Sequence, residues 1–327
     1  MKRVCRLCKS EGRHQSHVFR EMMFGSRKKF EYFECCDCGS LQIVDIPSDL
    51  SCHYPENYLG APTESTTRSA MTVGGLRAFL RAQRSNHFLG QNNLLGWLVS
   101  KVGQDYFPYP WSWFQNAGVN VNSAILDVGC GPGSLLHALV EQGFTHAVGQ
   151  DLFQRWSFPG VTLSNAPLDV LRGQYDLIML HHSFEHMPDP AVALAKLKNL
   201  CALGGTILLR IPVAGCLAWK RYQADWYQID APRHLVIPSV MGLELLAQDA
   251  GLRIRQVEFD STAYQFACSE QYRMDIPLKD PRSSFLRLAS SGLFSDDEKS
   301  NFAELTRQAN ACCGGDQACF YLSHAEP

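Results

Sequence analysis

Short, solid apolar runs alternate with stretches of helical spacing through the second half of the chain. Ile125, Leu126 and Val128 predict a buried strand over 124–128, and Leu135, Leu136 and Leu139 predict a helix over 133–142. Between them, Gly129-Cys130-Gly131-Pro132-Gly133 reads as a turn. A second strand ends in an acid at Asp151, and a third covers Val161–Leu163. Tyr175–Leu180 is almost wholly apolar, as a strand buried on both faces is. A helix over Ala191–Leu203, closed by Gly204-Gly205, and a strand over Thr206–Ile211 follow. A helix at 239–250, a strand at Arg253–Phe259 and a mostly helical stretch at 281–310 come next. The last strand, Ala318–Leu322, is expected to return antiparallel beside the preceding one. Alternation of this kind predicts an α/β fold, a Rossmann-like doubly wound sheet.

The first half is patterned differently. Cys5-x-x-Cys8 and Cys35-x-x-Cys38-Gly39 are two knuckles that can bring four thiolates to one tetrahedral Zn(II). The segment between them, with Phe30, Tyr32 and Phe33, suits a small β-ribbon. So small a module has little core of its own, and a metal would supply much of its stability. Tyr54-Pro55-Glu56-Asn57-Tyr58-Leu59-Gly60 reads as irregular and Thr63–Thr72 as a polar linker. From Gly74 to Val102 the spacing turns helical, with Arg77, Arg81 and Arg84 on neighbouring turns. Tyr106–Phe114 is an aromatic connector. The expected organisation is a zinc-binding module at 1–45, a linker and helical segment at 46–122, and a catalytic domain at 123–327.

Composition changes this picture little. Hydrophobic residues make up 46% and charged residues 19%, as in an ordinary globular protein, and the net charge of -2 gives no global attraction to polyanions. The first thirty residues are an exception, with nine Lys and Arg against Glu11 and Glu21, which reads as a solvated face or a phosphate contact. No apolar run reaches membrane-spanning length and no signal-peptide core is present. Thirteen cysteines in apolar or metal-like settings suit a reducing cytoplasm.

The glycine turn carries the chemistry. Its spacing is G-x-G-x-G with Ser134 in the place of a sixth-position glycine, so it is neither a dinucleotide fingerprint nor a P-loop. With Asp127 ahead and Asp151 about twenty residues behind, it resembles the first motif of class I S-adenosylmethionine-dependent methyltransferases. The cysteine module, the Y-P-E-N-Y segment, the glycine turn, H-S-F-E-H-M-P-D-P, G-G-T-I-L-L-R-I-P and D-A-P-R-H occur in an order similar to zinc-ribbon-bearing members of that family, including sugar C-methyltransferases of surface-polysaccharide and secondary-metabolite pathways. The resemblance implies a cofactor held by Asp127, Gly129, Gly131, Gly133 and Asp151, with Leu152, Leu168 and His181 lining it. It also implies structural zinc on Cys5, Cys8, Cys35 and Cys38. The exit of the fourth strand lacks the N/D-P-P-Y run and the Pro-Cys pair of nucleic-acid methyltransferases, so a nucleic-acid partner is disfavoured.

Methyl transfer to a hydroxyl or an acidic carbon needs the nucleophile, methyl carbon and sulfur in line, and a base for the departing proton. Imidazole titrates near neutrality, which makes His186 the candidate base, with Glu185 to orient it and His182 and His234 as alternatives. On a helix, His182, Glu185 and His186 would share one face. A related O-methyltransferase pattern holds a divalent metal here with acids and a histidine, and His182 stands where that resemblance would want a further carboxylate. Trp226, Asp230 and Arg233, with Tyr58, are expected to contact a sugar-like acceptor through stacking and charged hydrogen bonds. The expected function is methyl transfer to a sugar or nucleotide-linked sugar at oxygen or carbon. The alternatives are a nucleic-acid methyltransferase and a non-catalytic cofactor-binding partner.

Overall fold

A computed structural model describes residues 3–54, 75–102, 107–154, 157–158, 160–285 and 292–325. Tyr58, the 63–72 linker and most of the Y-P-E-N-Y segment lie outside the described residues. The chain groups into two compact units that do not follow chain order. One comprises Met1–Pro55, Phe184–Ala193 and Arg210–Phe320, and the other Glu56–Ser183, Leu194–Leu209 and Tyr321–Pro327.

The first unit contains the cysteine module. Strands β1 (Arg3–Val4) and β2 (Glu11–Gly12) pair antiparallel around the first knuckle. Strands β3 (Gln15–Arg20) and β4 (Lys29–Glu34) form the expected ribbon, with Phe19 opposite Phe30 and His17 opposite Tyr32. β5 (Leu41–Ile43) adds to β4, and β11 (Val236–Ile237) adds to β5, giving a four-stranded sheet whose last member lies almost two hundred residues downstream. The module therefore does not rest on metal alone. Tyr32, Leu41, Ile43, Val236 and Ile237 are fully buried, each apolar side chain contributing about 1.5–3 kcal/mol relative to exposure. Phe19 packs on Tyr32 and on Trp219 of α6 (Leu217–Tyr222), extending the core.

The same unit holds α7 (Val240–Asp249), β12 (Leu252–Phe259) and α9 (Asp296–Ala311), near their expected places, and α8 (Tyr264–Arg273), which the sequence pattern did not reveal. The reason is chemical: α8 is buried nearly all round, and Gln265, Ser269 and Gln271 face inward with the apolar residues. Gln265 donates to Thr306, Ser269 to the Gln265 carbonyl and Gln271 to the Pro277 carbonyl, so polar side chains inside break the amphipathic signal.

The second unit carries α1 (Leu76–Phe88), α2 (Leu94–Ser100) and α3 (Ser112–Ala117), followed by β6 (Ile125–Val128), α4 (Ser134–Glu141), β7 (Ala147–Gln150), β8 (Thr162–Ser164) and β9 (Tyr175–His181). β7 and β9 flank β6 in parallel, and β8 extends the sheet from β7. The seven-stranded order is β12-β13-β10-β9-β6-β7-β8, with β10 at Cys201–Pro212 and β13 at Gln317–His324. β13 neighbours β12 as expected but is inserted between it and β10. The chain reverses between β6 and β9, the switch point where α/β sheets bind ligands.

Gly204-Gly205 does not close a helix. α5 (Pro190–Leu200) ends earlier, and β10 runs through the pair. A Cβ on Gly205 would lie 2.9 Å from the Tyr175 carbonyl oxygen, so this glycine permits a close backbone approach within a strand. α5 begins at Pro190, with the Asp189 carboxylate accepting from the Ala191 and Val192 N–H groups.

Candidate functional site

In the second unit, β6 delivers the chain into the glycine turn, where Gly129, Gly131 and Gly133 all have positive φ (72°, 53° and 81°). Space explains two of these residues as well as conformation. A Cβ on Gly129 would sit 2.5 Å from Cβ of Ser183, and one on Gly133 would sit 2.8 Å from Val161. Ser183, just past β9, donates to the Val128 carbonyl at 2.7 Å and so fastens the β9 exit to the turn. The Asp151 carboxylate accepts from Gly131 N–H at 3.0 Å through one oxygen, and from Phe153 and Gln154 N–H through the other. Asp151 thus shapes both the turn and its own loop. Leu152 is half exposed, Leu168 is partly buried in a short 3-10 turn, and the His181 ring packs 4.5 Å from Trp113.

Asp127 is buried beneath this turn. Burial, and then the Asp151 charge, push its carboxyl up to about 7. A raised carboxyl keeps its proton in the fold where the unfolded chain has lost it, so stability falls as pH rises from about 4 to 7. Asp127→Asn stays neutral throughout and should be more stable than the parent above pH 7 by up to ~4 kcal/mol, with no such gain near pH 4. Urea denaturation at the two pH values reads the difference, and equal gains at both would show that the Asp127 carboxyl is not raised in the fold.

The first unit holds the second cluster, and its geometry differs from the expected helix face. β9 stops at His181, His182 adopts a left-handed φ of 52°, and only Phe184–His186 turn, as a single 3-10 unit. His182, Glu185 and His186 therefore do not share a helix face. His234 replaces His182 in the cluster: its ring lies 4.8 Å from that of His186, and its Nε2 is 3.8 Å from Glu185 Oε1. One donor atom from each of Glu185, His186 and His234 falls within 4.8 Å of the others. Hydrogen bonds assign the tautomers. His186 Nδ1 is 2.9 Å from the Arg233 carbonyl and His234 Nδ1 is 2.7 Å from the Gln228 carbonyl. A carbonyl can only accept, so each Nδ1 carries the proton and each Nε2 presents a lone pair. Burial, then the neighbouring His186, push His234 down to about 4, outweighing Asp230 and Glu185. Tyr54, whose hydroxyl is 3.1 Å from His186 Nδ1, joins this cluster. The sequence quoted it beside Pro55 with nothing to mark it.

Trp226, Asp230 and Arg233, expected as acceptor contacts, are bonded within this unit and frame the cluster. Trp226 is fully buried, and its indole N–H donates to Asp316. Arg233, also fully buried, donates to both Asp230 oxygens, to Glu21 at 3.0 Å and to the His53 carbonyl, with Phe24 beneath its guanidinium. Burial opposes ionisation of Asp230, and the Arg233 charge overcomes it, holding the carboxyl below its ordinary range. The pair is enclosed by protein groups. It fixes the backbone whose carbonyls set the histidine tautomers.

Residues 112–257 match the family described as a methyltransferase domain. The protein is an S-adenosylmethionine-dependent methyltransferase. It is 25% identical over 186 residues to the ubiquinone biosynthesis O-methyltransferase of Pseudomonas paraeruginosa, covering 47% of this chain and 74% of that protein. It is 28% identical over 115 residues to the enzyme of the same name from Acinetobacter baumannii strain AYE, spanning about half of that relative (48%) and 31% of this chain. Among solved structures, a putative sarcosine dimethylglycine methyltransferase from Galdieria sulphuraria aligns at TM-score 0.42 and 14% identity, covering 74% of this chain and 97% of that one. A cyclopropane synthase from Mycobacterium tuberculosis aligns at 0.38 and 17%, covering 62% and 78%.

The methyltransferase also carries the four-cysteine cluster. Cys5 and Cys38 Sγ are 3.7 Å apart, Cys8 and Cys35 3.6 Å, and all four sulfurs lie within 4.8 Å of one another. Tetrahedral zinc with Zn–S bonds of about 2.3 Å sets its sulfurs about 3.8 Å apart, so the donor set fits. The knuckles repeat one backbone pattern. Cys5 and Cys35 N–H donate to Ser10 and Ser40, and Lys9 and Gly39 N–H, both at left-handed positions, donate back to Cys5 and Cys35. Gln42 Nε2 adds a donor to Cys5 Sγ at 2.9 Å. The basic N-terminal face is largely engaged within its own unit: Arg3 pairs with Glu31, Arg20 with Asp225 and Asp275, and Arg27 with Asp275. That pairing weakens the phosphate-contact reading. No helix among the described residues is long and apolar enough to cross a membrane.

Proposed function

We propose that this methyltransferase moves the methyl group of S-adenosylmethionine to a hydroxyl of a small-molecule acceptor, with His186 Nε2 taking the acceptor's proton. When bound, S-adenosylmethionine would supply the methyl group and be left as S-adenosylhomocysteine, while His186 would take the proton that the acceptor hydroxyl gives up. The observation that carries this reading is the His186 tautomer. Its Nδ1 proton is committed to the Arg233 carbonyl, so the lone pair sits on Nε2, in a cluster with the buried Glu185 and with His234. The O-methyltransferase relatives favour oxygen as the acceptor atom. A sugar hydroxyl remains one member of that class, without the support that Trp226 and Arg233 were expected to give.

Asp127, Gly129, Gly131 and Gly133 would take the methionine end of the cofactor and Asp151 its ribose hydroxyls, with Leu152, Leu168 and His181 around the adenine. Cys5, Cys8, Cys35 and Cys38 would hold one structural Zn(II), which a reducing cytoplasm permits. Calorimetry with S-adenosylhomocysteine tests the cofactor half. Asp151→Ala should weaken binding by ~1.5–3 kcal/mol, the scale of hydrogen bonds to a charge, and unchanged affinity would move the site elsewhere. Binding without turnover on any hydroxyl acceptor would favour the non-catalytic reading.

A second reading has its own observation: Glu185, His186 and His234 converge closely enough for one divalent cation. The cation would then polarise the acceptor oxygen and remove the need for a histidine base. Turnover that EDTA abolishes and Mg(II) or Mn(II) restores would replace the base reading with this one.

A further inference from the structure

Helix α2 is built inside out. At 100° per residue, Leu94, Leu95, Trp97 and Leu98 occupy an arc of about 160°, and Gly96 lies opposite its centre. Gly96 is the buried residue, packed so closely on α1 that a Cβ would fall on the Gln83 carbonyl oxygen. The apolar arc is the exposed side: Leu94 is 74%, Leu95 38%, Trp97 45% and Leu98 50% exposed, followed by Val102 at 89%. Leu76 and Phe79, one turn apart on α1, are 71% and 51% exposed. An amphipathic helix normally buries its apolar stripe, and a patch of this size marks a docking surface.

Charge selects the occupant. From Gly75 to Val102 the chain carries Arg77, Arg81, Arg84 and Lys101 with no Asp or Glu, in a protein of net charge -2. Arg81 and Arg84 also donate to Glu141 and Gln142 at the end of α4, which anchors the hairpin to its unit. Arg77 and Lys101 are exposed, and the Lys101 ammonium sits 5.6 Å above the Trp97 ring. A second copy of this segment would oppose like charge with like. Exposed apolar side chains with the cations Arg77 and Lys101 beside them, and a tryptophan among them, suit the headgroup boundary of an anionic bilayer. We propose that α1 and α2 dock this methyltransferase onto an anionic membrane surface, with the apolar arc of α2 entering the interface.

The test is sedimentation of the full chain with vesicles of phosphatidylcholine alone, or with one third phosphatidylglycerol. Binding to the anionic vesicles should be at least ~tenfold stronger and should weaken as salt is added. Leu95→Glu with Leu98→Glu should lower that binding by ~tenfold or more, placing two anions on the face without touching the core. The double variant should keep its affinity for S-adenosylhomocysteine, which confirms folding. Three outcomes would overturn the proposal. One is equal pelleting with both compositions, or with neither. Another is pelleting that the double substitution leaves unaltered. The third is a concentration-dependent dimer in vesicle-free solution that the double substitution abolishes, which would assign the face to a second copy.

Discussion

His186→Ala is expected to lower kcat by ~10²–10⁴-fold, the range for a lost general base, while S-adenosylhomocysteine affinity stays within a small factor of the parent. The expectation comes from the hydrogen bond between Nδ1 and the Arg233 carbonyl, which leaves Nε2 as the basic nitrogen. Alanine also removes the donor to that carbonyl, so structural damage could imitate the catalytic loss. His186→Asn separates the two, because its amide can still donate to Arg233 while offering no basic nitrogen. If the proton goes to His186, both variants are equally slow and both lose the limb of the pH–rate profile that histidine ionisation gives. Recovery of activity in His186→Asn would mean that the residue only holds the Arg233 loop in place. Tyr54→Phe, which removes the hydroxyl near Nδ1, should cost much less than either.

Cys5→Ser combined with Cys38→Ser should reduce bound zinc from about one per chain to none. Structural zinc in small modules is worth about 10–16 kcal/mol, comparable to the entire stability of a typical domain. The loss here should nevertheless be local at first, because β11 pairs with β5 and Arg233 binds Glu21 without the metal. Hydrogen exchange should therefore show protection lost at the Cys5 and Cys35 amides, which close the two knuckles, before it is lost in β3 and β4. Protein purified without chelator and found free of zinc would overturn the assignment of the four cysteines.

What the sequence settled by itself was local. Ile125–Val128, the glycine turn and Asp151 follow from periodicity and backbone freedom within a few residues, and the paired C-x-x-C knuckles from ligand spacing. These features were legible because a strand, a tight turn or a knuckle is specified by neighbours along the chain. The partners of the candidate base were not. A helix face was expected to join His182 to Glu185 and His186, but β9 ends in a left-handed turn at His182, and His234 arrives from the loop before β11. Trp226 and Arg233 illustrate the same gap. Aromatic and charged residues close together in sequence suggested an exposed acceptor surface, yet burial against Asp316, Glu21 and Asp230 makes them a frame. The inverted α2 is the mirror case: the helical spacing over Gly74–Val102 does not say which side packs, and Gly96 is the packed side while Leu94–Leu98 face outward. Composition gives what a side chain can do, but which of its faces meets water depends on residues far away in the chain, and only tertiary packing brings those together.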